Sequence, residues 1–213
     1  MGFGLMAKLS TSDLHFGHVN ILKFTQRYHF MFDDSTFKNQ YFIDSDVFER
    51  MHNGTLTYSD KELIKEKHDS WLIERLNSQI DNGDVVYHVG DFSFYKDVKS
   101  IRKIIMQLAG DWIFVLGNHD NESALREACK GTRHKVVGYY HMTRVNRKRV
   151  IFCHFPFEEW DQCHNGSWHV YGHLHGSDGH GEFKMRKDLP RRFDTGIDAH
   201  KGCKLFNLDE VIQ

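Results

Sequence analysis

Residues that can bind metal ions recur directly after apolar segments of this sequence, where strands are predicted to end. In α/β sheets, ligands collect at the carboxyl ends of strands, so we expect these side chains to share one site. Two pairs have D-x-H or H-x-H spacing, which points both side chains the same way if the backbone is extended. The residues are Asp13, His15, Asp91, Asn118, His119, His154, His173 and His175.

The donor set consists of carboxylates, imidazoles and one amide, with no thiolate. Such ligands suit Mn, Fe, Zn or Ni better than a soft ion such as Cu(I). They are too many for one tetrahedral ion, but enough for two ions if one carboxylate bridges them. Asp91 is the natural bridge, because it stands alone after its strand.

Charge favours a phosphate ester as the substrate of such a centre. The positive charge of two divalent ions exceeds the negative charge of the Asp13 and Asp91 carboxylates, so the net charge of the centre stays positive even with a bridging hydroxide. Two ions about 3.5–4 Å apart would clamp the phosphoryl oxygens and supply hydroxide at neutral pH.

The motifs D-x-H, G-D, G-N-H-D, H and G-H-x-H occur in this order between Ser12 and Gly176. In this order they resemble the calcineurin-like metallophosphoesterase superfamily. The similarity is greatest to compact bacterial and phage-type members, which begin S-D-x-H-F-G-H and lack accessory domains. The motifs of HExxH metalloproteases, P-loop proteins, GxSxG hydrolases and dinucleotide-binding folds are absent from the sequence.

The resemblance implies two metal ions and a division of the residues between them. One ion would be held by Asp13, His15, Asp91 and His175, and the other by Asp91, Asn118, His154 and His173. His119 would not be a ligand but would stabilise or protonate the leaving oxygen, since cleavage of a phosphate ester leaves an alkoxide. Asp120 would orient His119.

We therefore predict a metal-dependent phosphoric ester hydrolase in which a metal-bridging hydroxide attacks a phosphodiester or phosphomonoester, with a nucleotide-like substrate favoured. The cofactor is predicted to be two divalent ions, Mn first and then Fe, Zn or Ni. Long nucleic acid is not favoured as a partner, although a nuclease acting on nucleic-acid ends is an alternative. A non-catalytic metal-binding scaffold or interaction protein is the alternative from another class, and the oligomeric state is open.

Further features outside the motifs bear on the substrate. His18 and Arg27 follow the first motif, and similar residues occur in related compact members, so we predict that they contact the substrate phosphate. Local hydrogen bonding is the alternative. Residues 24–48 contain eight aromatic side chains, which either stack a nucleobase or, as we favour, form a hydrophobic mini-core. A basic segment at 184–192 either faces solvent or steers an anionic substrate; its cations are Lys184, Arg186, Lys187, Arg191 and Arg192.

Composition restricts the class of protein. The chain has 213 residues, 40% of them hydrophobic and 27% charged, as is typical of a globular domain. A net charge of −1 argues against a general binder of polyanions. Apolar runs are too short for a membrane span. The four cysteines form no C-x-x-C pair, so we predict reduced thiols and a cytoplasmic protein without membrane partners.

The elements that must position these residues follow from periodicity. Helices are predicted over 19–26, 97–108 and 122–129, and Ser59 with Glu62 is predicted to cap a long helix ending near Ile80. Strands are predicted over 7–12, 84–89, 111–116, 135–144, 149–153, 168–171, 193–196 and 203–206. This order predicts an α/β fold: a single-domain sandwich, residues 1–213, of two mixed β-sheets flanked by helices.

Overall fold

In the computed structural model, residues 6–25, 27–33, 40–41, 43–176, 191–199 and 202–213 are described. The strands are β1 (Lys8–Thr11), β2 (Val85–Val89), β3 (Asp111–Val115), β4 (Lys135–Gly138), β5 (His141–Val145), β6 (Lys148–Phe152), β7 (Trp168–Tyr171), β8 (Arg192–Asp194) and β9 (Phe206–Asn207). The helices are α1 (Ile21–Phe24), α2 (Arg27–Asp33), α3 (Ser45–Asn53), α4 (Tyr58–Asn77), α5 (Val98–Ile105), α6 (Glu122–Cys129) and α7 (Leu208–Val211). None of these helices is both long and apolar enough to cross a membrane.

The strands form two mixed sheets, which confirms the predicted fold class. The first sheet has the order β4-β3-β2-β1-β9, with β9 antiparallel to β1 and the other pairs parallel. The second has the order β5-β6-β7-β8, with β5 antiparallel to β6 and the rest parallel. The parallel strands of each sheet therefore present their carboxyl ends together, as a shared site requires.

Two hydrophobic clusters hold the sheets and helices of the fold together. One includes Trp71 of α4, Ile105 of α5 and Trp112 of β3, so it packs helices against the first sheet. The other includes Val89 of β2 and Val150 of β6, so it fills the space between the two sheets. Alternating residues of the first sheet serve different clusters: Val86 belongs to the first and Val89 to the second.

The long helix begins two residues earlier than predicted. The capping box is formed by Thr57 and Asp60: the Thr57 hydroxyl accepts from the Asp60 backbone N–H at 3.1 Å, and the Asp60 carboxylate accepts from the Thr57 N–H at 2.9 Å. Both residue pairs have the capping-box spacing, so the sequence pattern alone does not choose between them. The predicted pairing of Ser59 with Glu62 was wrong.

The single strand predicted over 135–144 is two strands in different sheets. β4 pairs with β3 in the first sheet, whereas β5 pairs with β6 in the second. Tyr139 and Tyr140 lie between the two strands, where the chain leaves one sheet for the other. A continuous period-two pattern does not reveal this crossing, because the alternation of side chains is the same on both sheets.

The aromatic segment contains helices that its irregular pattern did not predict, namely α2 and α3. Tyr28 and Phe48 stack at 3.6 Å between ring centroids, and with Phe30 they pack against the core cluster of the first sheet. Tyr41 is buried in the same cluster. These contacts agree with the favoured mini-core, whereas Phe24 is 70% exposed. Phe37 and Phe42 lie outside the described residues.

Candidate metal centre

The two sheets meet where β1 and β8 end. Ser12, just beyond β1, forms a parallel bridge with Gly196, just beyond β8, and its backbone is hydrogen-bonded to Thr195 and Ile197. The loops after β1, β2, β6 and β7 converge at this junction and carry Asp13, Asp91, His154 and the two histidines of the G-H-x-H motif. The junction therefore brings together side chains from both sheets.

Two groups of possible metal ligands form there, each with its ligand atoms within 4.8 Å of one another. The groups are Asp13, His15 and His175, and Asp13, Asp91 and His154. Five of the seven predicted ligands thus lie together, and these two clusters could bind metal ions.

The expected bridging position of Asp91 is compatible with the distances. Its Oδ2 lies 3.8 Å from His15 Nε2 and 3.3 Å from His154 Nε2, while its Oδ1 accepts from the His119 backbone N–H at 2.8 Å. The carboxylate common to both groups is nevertheless Asp13, whose Oδ1 lies 3.8 Å from His15 Nε2 and 3.5 Å from His175 Nε2. Asp91 as the bridge stays a prediction.

The rings of His154 and His15 have nitrogens suited to a cation. His154 Nδ1 lies 2.9 Å from the Val89 carbonyl oxygen, so Nδ1 carries the proton and donates it there. Its buried Nε2 has no hydrogen-bond partner among the described residues. His15 Nε2 lies only 3.2 Å from His175 Nε2. Buried polar atoms normally have partners, so the unpartnered Nε2 of His154, beside the Asp91 carboxylate and near the close pair of His15 and His175 ring nitrogens, fits a bound cation.

His175 is oriented by a carboxylate that the sequence analysis did not select. Its Nδ1 lies 2.9 Å from Asp198 Oδ2, and Nε2 consequently faces Asp13 and His15. A histidine that ligates metal usually donates its other N–H to such a group. Asp198 follows the strand predicted over 193–196, so the rule that selected the other residues would have found it.

The ligand loops do not have the extended backbone that the sequence argument assumed. Asp13, His15, Asp91, His173 and His175 all have φ between 51° and 72°, in the left-handed region. This conformation costs a residue other than glycine about 1–2 kcal/mol. Asp13 and His15 therefore converge through two left-handed residues and not through strand alternation. Concentrated strain of this kind is typical of functional sites.

A glycine of the last motif leaves room for the Asp13 carboxylate. A Cβ at Gly172 would lie closer than 3.0 Å to Ser12 Oγ and to Asp13 Oδ2. Asp13 Oδ2 also accepts from Ser12 Oγ at 2.5 Å and from the His173 backbone N–H at 3.0 Å. Asp13 is thus held by the loop that carries the H-x-H motif, with Oδ1 left to face the cluster.

The remaining motif residues lie around this cluster. His173 is exposed, and its ring centroid lies 5.1 Å from that of His154. Asn118 and His119 are exposed as well. The His119 ring is 5.7 Å from that of His15 and stacks on Phe94 at 4.7 Å. His119 therefore lies at the solvent side of the cluster.

Asp120 does not contact the His119 ring in the described structure, contrary to the expectation that it orients this residue. Its carboxylate accepts hydrogen bonds from the backbone N–H groups of Asp91, Phe92 and Gly117 at 2.8–3.0 Å. Burial raises the pKa of Asp120 to about 6 despite these donors. Asp120 fastens the loop after β2 to the loop after β3, and so supports Asp91 instead.

The two predicted substrate contacts lie in different surroundings. His18 lies beside the cluster, with its ring stacked on Phe94 at 3.9 Å, and its role stays a prediction. Arg27 is fully buried, and it is committed to Asp198, to His68 and to the backbone of the first motif. Its guanidinium lies beneath the motif loop and not at its surface, so the structure lends no support to substrate binding by Arg27, which stays a prediction.

The buried groups of the cluster influence one another's charge. Burial raises the pKa of Asp13 against the pull of the nearby histidines. Burial disfavours a charge on His154, but the adjacent Asp91 and Asp13 carboxylates outweigh it and raise the pKa of His154 to about 9. The pKa of Asp91 is lowered by His154 in spite of burial. Burial, together with Arg27, lowers the pKa of His15.

The basic segment is described only at its end, since 184–190 lies outside the described residues. Arg191 donates to the Cys163 carbonyl at 3.2 Å. Arg192 is buried, donates to the Phe157 carbonyl at 2.6 Å and lies over the Tyr171 ring. Both arginines are thus engaged by backbone carbonyls of the protein, and steering by the basic segment stays a prediction.

Comparison with known proteins gives a fold and no established activity. No family model matches the sequence. The chain is 25% identical over 165 residues to the uncharacterized protein MJ1445 of Methanocaldococcus jannaschii, covering 77% of this chain and 66% of that protein, slightly under two thirds. The solved structure of the protein of unknown function AQ665 from Aquifex aeolicus aligns with a TM-score of 0.57 and 17% identity, over 97% of this chain and 98% of that one, which shows a common fold. Yfce, a phosphoesterase from E. coli, aligns with a TM-score of 0.37 and 12% identity, over 90% of this chain and 79% of that one, too weakly to support an argument.

Proposed function

We propose that this protein is a hydrolase of phosphate esters that uses two divalent metal ions. The observation that carries the proposal is the convergence of Asp13, His15, Asp91, His154 and His175, with the ligand atoms of each group within 4.8 Å. Ligands of this kind suit Mn, Fe, Zn or Ni, and we propose Mn as the preferred ion. Metal ions bound there would polarise the phosphoryl oxygens and supply hydroxide at neutral pH.

The residues around the ligands would supply the remaining steps. His119, at the solvent side, would donate a proton to the leaving oxygen, and its stacking on Phe94 would limit the movement of its ring. Asn118 and His173 would complete the coordination of the second ion. The His18 ring also stacks on Phe94, and it would contact the substrate phosphate. A phosphodiester or phosphomonoester of nucleotide size is the substrate that we favour.

The test uses metal-free protein reconstituted with Mn and assayed on bis(p-nitrophenyl) phosphate and p-nitrophenyl phosphate. His119→Ala should retain metal but slow hydrolysis, most strongly for esters with poor leaving groups. Loss of a general acid typically lowers the rate by about 10²–10⁴-fold. His164→Ala is the matched control, because His164 is an exposed histidine on the segment 163–165, outside the ligand groups.

Several outcomes would contradict the proposal. Protein that binds metal but hydrolyses neither chromogenic ester nor a panel of nucleotides would be a metal-binding scaffold. If His119→Ala lost its metal, the division between ligand and acid would be wrong. Equal effects of His119→Ala and His164→Ala would remove His119 from the mechanism.

A further inference from the structure

The side chain of Arg27 is fully buried, and all of its N–H groups have acceptors. Nε donates to Asp198 Oδ1 at 2.7 Å. One terminal nitrogen donates to the Leu14 carbonyl at 2.7 Å and faces His68 Nε2 at 3.4 Å. The other donates to Asp198 Oδ2 at 2.8 Å and to the Asp13 carbonyl. Arg27 therefore joins the backbone of the first motif to the carboxylate of Asp198.

Asp198 in turn joins Arg27 to His175. Its Oδ2 accepts both from Arg27 and from His175 Nδ1, the latter at 2.9 Å. The buried Asp198 carboxylate forms a salt bridge with the Arg27 guanidinium, whose Nε lies 2.7 Å from Oδ1. Arg27 donates to both oxygens of Asp198, so this carboxylate acts as an acceptor, and a His175 Nδ1 that lies 2.9 Å from it is placed to carry the proton.

The same chain of contacts continues away from the metal centre. His68 Nδ1 lies 3.1 Å from Asp69 Oδ1, and Asp69 also accepts from the Gly17 backbone N–H and from the Tyr95 hydroxyl, each at 2.9 Å. This arrangement leaves His68 Nε2 as an acceptor facing Arg27. Along the chain of contacts from Tyr95 to His175, each donor thus faces an acceptor, and the rings of His68 and His175 both carry their proton on Nδ1.

We infer that Asp198 and Arg27 are positioning residues: they fix the Nδ1–H tautomer of His175 and keep its unprotonated Nε2 directed at Asp13 and His15. The inference deepens the proposed function, because His175 is one of the proposed ligands. It concerns the metal-free protein, however, and can be tested without catalysis. Partners of this kind typically contribute about 10–100-fold to metal affinity.

The first test is the tautomer of His175 in metal-free, ¹⁵N-labelled wild-type protein, at a pH where the ring is neutral. A long-range ¹H–¹⁵N correlation spectrum distinguishes the protonated ring nitrogen from the unprotonated one, and the His175 signals are assigned by their loss in His175→Ala. We expect a single Nδ1–H tautomer. An Nε2–H tautomer, or a mixture of the two, would overturn the inference, and the tautomer itself is read from the wild-type protein.

The second test compares Asp198→Asn with Asp194→Asn. In Asp198→Asn the amide N–H₂ group must face an N–H of either Arg27 or His175, and where it faces His175 the ring must offer an unprotonated Nδ1. The Nδ1–H tautomer should therefore lose population, and Mn should bind about 10–100-fold more weakly. Asp194 is the matched control: it is a buried carboxylate near the same loops, and within the described part of the chain its hydrogen-bond donors are the backbone N–H groups of Gly176 and Gly196. Asp194→Asn should leave the tautomer and the Mn affinity close to wild type.

The outcomes separate this inference from the proposed function. If Asp198→Asn bound Mn more weakly but kept the tautomer, Asp198 would act on the metal only through its negative charge, and the positioning role would be overturned. Equal changes in both variants would reduce Asp198 to general support of the loop. An Nδ1–H tautomer and tight Mn binding in a protein without hydrolytic activity would refute the proposed function and keep the inference.

Discussion

Metal binding should depend steeply on pH, because His154 must lose a proton before it can be a ligand. Without metal, the Asp91 and Asp13 carboxylates outweigh the effect of burial and raise the pKa of His154 to about 9. At pH 7 only about one molecule in a hundred then has a neutral His154. Affinity for Mn should therefore rise about tenfold for each pH unit between 6.5 and 8 and level off near 9, about 50-fold or about 2.3 kcal/mol between pH 7 and 9.

The assay is titration with Mn, with free Mn measured by electron paramagnetic resonance in buffers that do not bind metal. Calorimetry at pH 7 in two buffers of different ionisation enthalpy should show release of at least about one proton, from His154 and in part from His175, because Asp198 and Asp13 raise the pKa of His175 against the effect of burial. The metal-free protein provides a check of the same group. Because the folded-state pKa lies above the ordinary 6.5, His154 contributes stability that is fully present below pH 6.5 and lost as the pH rises through 9. Mn affinity that is flat from pH 6.5 to 8.5, or a His154 midpoint below 7 by NMR, would refute the reasoning.

The other predictions concern packing and capping. Gly172→Ala should weaken Mn binding at least about tenfold, because the new Cβ would displace the Asp13 carboxylate. Gly83→Ala is the control and should not change the Mn affinity. Equal Mn affinities of the two variants would show that the loop adjusts without moving Asp13. Thr11→Val should raise the free energy of unfolding by about 1 kcal/mol in urea, since Thr11 Oγ1 is buried without a described partner, and a decrease would reveal a hydrogen bond to water there. Thr57→Ala should lower the free energy of unfolding by about 1 kcal/mol through loss of the capping box, and an unchanged urea midpoint would mean that water replaces the cap.

The fold class and most of the ligand cluster could be predicted from the sequence, because both depend on local patterns. Apolar strands such as 111–116 are recognisable by themselves, and a polar residue placed directly after such a strand must lie at one edge of its sheet. The convergence of Asp13 and His15 was predicted on a wrong assumption, since both residues are left-handed and not extended. Spacing indicated that the two side chains meet, but the conformation that brings them together depends on contacts with Gly172 and His173, far away in the sequence.

Arg27 and Asp120 show that the type of a residue and its place near a motif do not reveal whether its hydrogen-bonding groups are already used inside the protein. Each is a charged residue next to a motif, and each was predicted to act on the substrate or on the catalytic histidine. In the structure their hydrogen-bonding capacity is taken up by other parts of the chain: Arg27 by a carboxylate 171 positions away, and Asp120 by backbone N–H groups of the loop after β2. A buried charge needs such partners, since the cost of its desolvation is otherwise unmet. Proximity to a motif therefore indicates a functional role only when the side chain still has a donor or acceptor free to face the site, and at this centre that condition separates His15 and His154 from Arg27.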